Sequence, residues 1–264
     1  MDDETRKPSN VYAQSFARGL EVIRSFEGNP QGLTLSEVSK RVAVTRATAR
    51  RLLHTLVALG YAVTDGKYFS LTPKVMDLGY SYLTSSSIWG ASEQYVEQLV
   101  AKVGESASVS VLENTDVVYV LRVPTERILK STLSVGSRLP AHVVSMGRIQ
   151  LAALTDEALD AYLSKVELKS YTQWTQTDKT ALRAQIIEDR NNGWSMVSRE
   201  LEEGIAGIAV PILSRSGRVI AAINVSLYPA KLEVQDNFNL LLSSLHQTAQ
   251  EIGRAVDKTS RSAG

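Results

Sequence analysis

Thr34–Leu71, TLSEVSKRVAVTRATARRLLHTLVALGYAVTDGKYFSL, reads as helix, tight turn, helix and a two-stranded wing. Thr34-Leu-Ser-Glu37 has the spacing of a capping box, in which a hydroxyl and a carboxylate three residues apart bond the first free N–H groups of a helix. Leu35, Val38 and Val42 then share one helical face. After a short turn at Ala43-Val44, Thr45 can cap a second helix running to Leu59, and Gly60 suits the position beyond its end. Ala49, Leu52, Leu53, Leu56 and Leu59 form the apolar stripe of this helix, and Ala47, Arg50, Arg51 and His54 fall on the opposite face. Small side chains permit close approach to a DNA major groove, and arginines reach phosphates or guanine edges. Asp65-Gly66 between β-prone runs signals a two-residue hairpin with Lys67 at its tip. A helical hairpin with a basic face is common by itself. The ordered series helix, turn, helix, basic-tipped hairpin is specific, and it marks Thr45, Arg46, Ala47, Thr48, Arg50, Arg51, His54 and Lys67 as candidate contacts to double-stranded DNA.

Working outward, Phe16, Leu20, Ile23 and Phe26 line one side of a helix over Ser15–Phe26 and can complete a three-helix core. Residues 1–12 are polar and read as a flexible N-terminus, so the winged helix-turn-helix domain spans 13–71. Thr72-Pro73 is a cap followed by a first-turn proline. The helix it starts runs to about Leu83, and Thr84-Ser-Ser-Ser87 breaks it. Residues 72–88 are thus a linker, serving either as a spacer or to transmit a signal. From 89 to 259 the pattern changes. A helix with Val96, Leu99, Val100 and Val103 ends at Gly104. Strands are expected at Ser106–Leu112, Val117–Val123, Leu129–Val135, Trp194–Arg199, Ile205–Leu213 and Val219–Leu227. Helices are expected at Ser145–Leu154, Asp156–Ser164, Lys179–Asn191 and Val234–Val256, followed by a flexible tail at 260–264. The chain is α+β, its second domain an antiparallel sheet covered by helices.

The net charge of the 264 residues is only +1, but it is unevenly spread. Met1–Leu83 carries eleven Lys/Arg against eight Asp/Glu, and Thr34–Lys67 six against two, so the basic charge sits on the DNA-reading segment, where counterion release would use it. The absence of cysteine excludes disulfides, thiol nucleophiles and cysteine zinc sites, and suits the cytoplasm. The acidic N-terminus leads into no apolar run and is not expected to be a signal peptide. No stretch approaches the ~20 apolar residues of a membrane span. Cofactor chemistry is not indicated: no metal-ligand cluster, phosphate loop or dinucleotide fingerprint appears. Nor is an enzyme. Ser145 and His142 are close in sequence, but Ser145 lacks the Gly-x-Ser-x-Gly elbow of a presented nucleophile.

Within the second domain, Gly136–His142 is an aperiodic loop leading into a helix at Ser145-Met-Gly-Arg148, whose free N–H groups can attract an anion. A lone loop histidine such as His142 is commonly a hydrogen-bonded structural residue. Gly204 and Gly207 leave space at a strand entry, for close packing or for a ligand. Asn224 and Ser226, two apart, share a strand face. If that face is the inner one they need partners, which a ligand, water or backbone can supply.

Taken together, Phe16-Ala-Arg-Gly-Leu-Glu-Val-Ile23, Thr45-Arg-Ala-Thr-Ala-Arg-Arg51, Leu56-Val-Ala-Leu-Gly-Tyr61, Gly136-Ser-Arg-Leu-Pro140, Ser145-Met-Gly-Arg148 and Glu202-Glu-Gly204 resemble an IclR-type transcription regulator from about Val11 to Val256. Gln14-Ser-Phe-Ala-Arg-Gly-Leu-Glu21 and Asp65-Gly-Lys-Tyr-Phe-Ser-Leu-Thr-Pro-Lys74 further resemble the branch controlling breakdown of protocatechuate and 4-hydroxybenzoate through the β-ketoadipate pathway. The resemblance implies a winged helix-turn-helix, a linker helix and a GAF-like effector domain, with self-association as a dimer or tetramer on a pseudo-palindromic operator. Matched to the family pocket, Leu139, Ser145, Met146, Val197, Ile205, Gly207, Asn224 and Ser226 are the implied effector contacts, with the backbone at Ser145-Met146 holding an acid group. Some relatives carry an acidic residue where this chain has Val197 and serine where it has Asn224. The more apolar wall here suits an aromatic or longer-chain acid. A regulator of another pathway with a different organic-acid effector is the alternative reading, and a hydrolytic enzyme the remote one.

Overall fold

The structure, a computed structural model, describes residues 12–85, 88–125 and 133–262. Most of the expected flexible N-terminus lies outside these residues, as do positions 263 and 264 of the expected C-terminal tail. The chain divides into two compact units, Met1–Tyr82 and Leu83–Gly264.

The first unit holds helices α1 (Gln14–Arg24), α2 (Leu35–Arg41) and α3 (Arg46–Ala58) and a sheet of β1 (Leu33–Thr34), β2 (Ala62–Thr64) and β3 (Tyr68–Leu71) in the order β1-β3-β2. The local chemistry that sets its boundaries is visible atom by atom. The Thr34 N–H donates to Glu37 Oε2 at 2.7 Å and the Glu37 N–H to Thr34 Oγ1 at 3.4 Å, the reciprocal pair of a capping box. Ala43, at φ 53°, makes the turn between α2 and α3. Ser39 Oγ braces that turn by donating to the Val44 carbonyl at 2.7 Å. Helix α3 ends in a Schellman motif: the Tyr61 N–H reaches Leu56 O at 2.8 Å and the Gly60 N–H reaches Val57 O at 3.0 Å. Gly60 holds φ at 79°, a conformation that costs a side-chain-bearing residue and not glycine.

The core of this unit is Val22, Phe26, Leu33, Val38, Val42, Ala49, Leu53, Leu56, Ala62 and Phe69. Three sequence expectations are corrected here. Phe16 and Leu20 are 70% and 43% exposed, because the face of α1 that meets the core is the one carrying Val22, roughly 120–160° round the helix from Phe16 and Leu20, and Phe26 joins the core from just beyond the helix end. Leu59, at the C-cap of α3, is 54% exposed beyond the last buried turn. In the wing, Thr64 pairs with Phe69, so Gly66 and Lys67 are the central residues of the turn and Asp65 flanks it. The Asp65 carboxylate accepts from the Lys67 and Tyr68 N–H groups at 2.8 Å each, which holds its pKa below the ordinary value.

A 3₁₀ turn at Pro73–Val75 leads into α4 (Met76–Ser85). Thr72 Oγ1 and Lys74 Nζ donate to the Gly60 and Leu59 carbonyls at 2.6 and 2.9 Å, fastening this start to the end of α3. Residues 86 and 87, within the expected serine break, lie outside the described residues; α5 (Ile88–Val103) follows them.

The described residues of the second unit include a six-stranded antiparallel sheet in the order β6-β5-β4-β9-β8-β7. Its strands are β4 (Ser106–Glu113), β5 (Asp116–Val123), β6 (Arg138–Pro140), β7 (Ser195–Ser198), β8 (Ala206–Leu213) and β9 (Val219–Leu227). Helices α5 and α9 (Gln235–Ser262) cover one face over Val109, Ile208, Val210, Ile223 and Val225. Helices α6 (Ser145–Ala152), α7 (Asp156–Lys165) and α8 (Lys179–Asn192) build a second core on the other, with Met146, Leu151, Leu159, Leu182 and Ile186. The strand expected at Leu129–Val135 is not seen: residues 129–132 lie outside the described residues, and 133–135 form no strand. The edge strand is Arg138–Pro140, inside the expected loop and paired with Asp116–Val118. Three residues show no alternation, and an edge tolerates the proline that lacks an N–H. Among the described residues no helix is long and apolar enough to cross a membrane.

Candidate DNA-binding face and effector cavity

Helix α3 presents its basic face to solvent. Thr45, the N-cap, accepts from the Thr48 N–H at 3.2 Å, and the two hydroxyls lie 3.0 Å apart. Thr48 is therefore half-buried against its cap, while Thr45, Arg46, Ala47, Arg50, Arg51 and His54 are exposed. Among the described residues no ion pair involves Arg46, Arg50 or Arg51. Arg41 differs: it donates to the Ser25 carbonyl and Asn29 Oδ1 at 2.8 and 3.0 Å and serves the fold. His54 rests edge-on against Phe69, 5.8 Å between centroids, which joins the helix to the wing. At the wing tip Lys67 Nζ sits 5.0 Å over the Tyr68 ring, an exposed aromatic neighbour that the sequence reading did not single out.

The second unit holds a cavity on the inner face of its sheet. The floor is set by strand register. Arg122, Ser108, Asn224 and Ala209 lie directly opposite one another across β5, β4, β9 and β8, and Ser226, Gly207 and Val197 do so across β9, β8 and β7. Val143, Val144 and Ser145, at the start of α6, form another wall with Leu139 of β6, and Glu200, Leu201, Glu202 and Ile205 supply a third. The space between these walls, with the open solvent at its mouth included, is about 580 Å³. Seven of the eight expected effector residues line it: Leu139, Ser145, Val197, Ile205, Gly207, Asn224 and Ser226. Met146 does not. Its side chain is fully buried in the second core, because the position after the helix start turns toward α7 and α8.

Two buried polar atoms in this cavity have no partner among the described residues, Ser145 Oγ and Asn224 Oδ1. Asn224 Nδ2 donates to Ser226 Oγ at 3.1 Å, so the amide oxygen is the end left over. Gly207 makes the room between them. A Cβ there would stand 2.8 Å from Ser145 Oγ and 3.5 Å from Asn224 Nδ2. Buried polar groups in folded proteins are almost always satisfied, and a ligand is one way to satisfy these.

The charges around the cavity are unequal. Glu200 faces it but is neutralised: Arg148, 4% exposed, donates from Nη2 to both Glu200 oxygens at 2.7 Å, and the Gln176 N–H adds a bond at 3.0 Å. Arg148 Nε also donates to the His142 carbonyl at 2.8 Å. Arg148 is thereby committed to joining α6 to the 199–205 segment. His142 itself is buried behind the helix start, outside the cavity. Burial first, then Arg148, pushes its pKa down to about 4, so the ring is neutral. Burial raises the Tyr119 phenol to about 12.

Sequence reasoning missed Tyr119, Arg122, Leu133 and the Val143–Val144 pair, and it did not assign Glu200–Glu202 or Ala206 to the cavity. The two β5 residues were hidden by a bulge. Ser108 pairs with Arg122 and Ser110 with Tyr119, so residues three apart point to the same face, and Val120 and Leu121 both enter the opposite core. Strict alternation would have separated them.

Residues 15–66 match the IclR helix-turn-helix domain, and residues 80–254 match the bacterial transcriptional regulator IclR C-terminal domain. Over 222 residues the chain is 43% identical to the Pca regulon regulatory protein of Pseudomonas putida, covering 84% of this chain and 76% of that one. A transcriptional regulator structure from Rhodococcus sp. RHA1 superposes with a TM-score of 0.84 at 44% identity, over 94% of this chain and all of that one. An IclR homologue from Microbacterium hydrocarbonoxydans, solved with 4-hydroxybenzoate, superposes with a TM-score of 0.79 at 25% identity, over 91% of this chain and 99% of that one. With both domain types matched over most of its length, and with an exposed basic helix in one unit and a small-molecule cavity in the other, this chain belongs to the IclR family of bacterial transcriptional regulators.

Proposed function

We propose that this regulator controls the breakdown of aromatic acids and responds to a hydroxylated aromatic acid held between the sheet and the Leu139–Arg148 segment. The observation that carries the reading is the pair of buried, unpartnered atoms, Ser145 Oγ and Asn224 Oδ1, in a cavity whose walls include the apolar Leu139, Val143, Val197 and Ile205. The similarity to a Pca regulon regulator and to a homologue solved with 4-hydroxybenzoate supports the ligand class. On the DNA side, Arg46, Ala47, Arg50, Arg51 and His54 enter the major groove, with Thr45 and Thr48 at the helix start and Lys67 on the phosphate backbone. The protein acts in the cytoplasm as a homo-oligomer on a pseudo-palindromic operator, since one winged helix reads too few bases for genomic specificity.

Calorimetry of the full chain with 4-hydroxybenzoate, protocatechuate and β-ketoadipate tests the effector reading. Saturable binding of one of the aromatic acids, with a change in operator affinity when it is bound, is the expected result. A ligand with equal affinity for both arrangements of the DNA-binding heads would shift nothing. Binding of β-ketoadipate alone would move the ligand class to aliphatic acids. Binding of no acid would remove the effector half of the reading.

A further inference from the structure

We infer that Arg122 is the carboxylate anchor of the effector cavity, and that Asn224 and Ser145 form an opposing pole that recognises a ring hydroxyl. This rests on the reading that the cavity takes a hydroxylated aromatic acid, and it fixes which end of that acid lies where.

Donor and acceptor capacities decide the orientation. A carboxylate can only accept hydrogen bonds, and so can the Asn224 amide oxygen. With Nδ2 donating to Ser226 Oγ at 3.1 Å, that oxygen is buried and unpartnered. It calls for a donor, which a phenol supplies and an ionised acid does not. The neighbouring Ser145 hydroxyl, also unpartnered, can donate to or accept from the same phenol. Placing the acid at this pole would set a negative charge against a buried acceptor, at the cost that attaches to any poorly compensated buried charge.

Arg122 has the complementary character. Its half-buried guanidinium lines the cavity and donates to Ser108 Oγ at 3.1 Å, and among the described residues no carboxylate pairs with it. The other arginine near this site, Arg148, is already paired with Glu200 and bonded to the His142 carbonyl. Arg122 thus retains free N–H donors in the fork geometry that suits a planar carboxylate. The separation also fits. Ser108 stands directly opposite Asn224 on the neighbouring strand, so a guanidinium lying over Ser108 is roughly one to two strand spacings, ~5–10 Å, from the amide pole. That is the span between para substituents of a benzene ring. The helix start, the other candidate for the acid, is only half-built for it: Ser145 borders the cavity and Met146 does not.

The test separates the two poles by pairing variants with ligands. Wild type, Arg122→Gln, Arg122→Lys and Asn224→Ala are titrated calorimetrically with 4-hydroxybenzoate, 4-hydroxybenzamide and benzoate, with circular dichroism confirming the fold of each. Wild type is expected to prefer the acid over the amide by roughly tenfold or more, the scale of a charged hydrogen bond. Arg122→Gln should abolish that preference while keeping the preference for the hydroxyl-bearing acid over benzoate. Arg122→Lys should keep part of the acid preference, and Asn224→Ala should lose the hydroxyl preference alone. Undiminished acid-over-amide preference in Arg122→Gln would overturn the assignment. So would wild type binding acid and amide equally, a comparison that needs no variant to fold. Wild type binding the acid with these preferences misplaced refutes the orientation only, whereas wild type binding neither these three ligands nor protocatechuate refutes the effector reading on which it stands.

Discussion

Two single residues, Gly207 and His142, are expected to govern effector affinity and the pH dependence of stability in the second unit. Gly207 is a vacancy that the cavity needs: any side chain there meets Ser145 Oγ. Gly207→Ala is expected to leave the fold standing, at a cost of about 1–3 kcal/mol for overpacking, and to weaken effector affinity roughly tenfold or more by displacing the Ser145 hydroxyl. Calorimetry beside a thermal melt checks both halves. His142 governs a different property. Its folded pKa, about 4, lies below the ordinary 6.5 because burial and Arg148 disfavour the imidazolium. Between those values the unfolded chain binds a proton that the native chain refuses, so stability is lost as the pH falls through that window. The loss attributable to this ring is up to roughly 3 kcal/mol. Asp189, raised to about 6 by burial, contributes the opposite slope, so the wild-type curve is a partial cancellation. In His142→Phe, urea midpoints at pH 7 and pH 4.5 should differ less in the destabilising direction than in wild type. An unchanged pH slope would show that the ring titrates normally.

At the scale of elements, the DNA-binding helix and the wing are expected to do different work. Arg50 is exposed on α3, on the flank of the buried stripe that carries Ala49 and Leu53. Arg50→Ala should weaken operator binding by about 1–3 kcal/mol if the guanidinium pairs with a guanine, and relax specificity at that base. Lys67 stands at the wing tip, and Lys67→Ala should lower affinity for all sequences and flatten the salt dependence. Salt-titrated gel shifts on operator and unrelated DNA distinguish the two, and equal behaviour of both variants would reject the division. Strand β4 carries a different lesson. Its Ser106-Ala-Ser108-Val-Ser110 alternation suggests a polar face in water, yet all three serines are buried. Each has a partner: the Thr125 N–H, the Arg122 guanidinium and the Gln150 amide, at 3.0, 3.1 and 3.2 Å. A sheet covered on both faces can keep a polar row inside only by bonding it.

At the scale of the whole molecule, the exposed apolar side chains of the first unit call for cover. Phe16 and Leu20 on α1 and Met76 and Leu78 on α4 are all more than two-fifths exposed. We expect these helices to carry the self-association on which a two-fold operator depends. Sedimentation at micromolar concentration should give a dimer or larger. The double variant Phe16→Ser, Leu20→Ser should shift it toward monomer with little loss of protomer stability, because neither side chain belongs to the protomer core. A wild-type monomer, with and without DNA, would refute the expectation.

Sequence alone determined what is local. The Thr34–Glu37 box, the Thr45 cap, the Gly60 stop and the Val219–Leu227 strand rest on interactions between residues a few positions apart, or on an unbroken period, and such patterns are legible without a fold. Seven of the sixteen residues that line the cavity were also legible, through the family resemblance and the shared face of Asn224 and Ser226. What tertiary structure decided lies where two distant segments choose a direction for a third. The β4–β5 bulge reversed the parity that would have hidden Arg122. The press of α7 and α8 drew Met146 out of the cavity, and pairing with Asp116–Val118 made a strand of Arg138–Pro140. The direction α1 takes across its neighbours left Phe16 and Leu20 outside. In each case the side chain's chemistry was readable in advance, but its direction was not, because direction is set by register and packing between segments far apart in the chain.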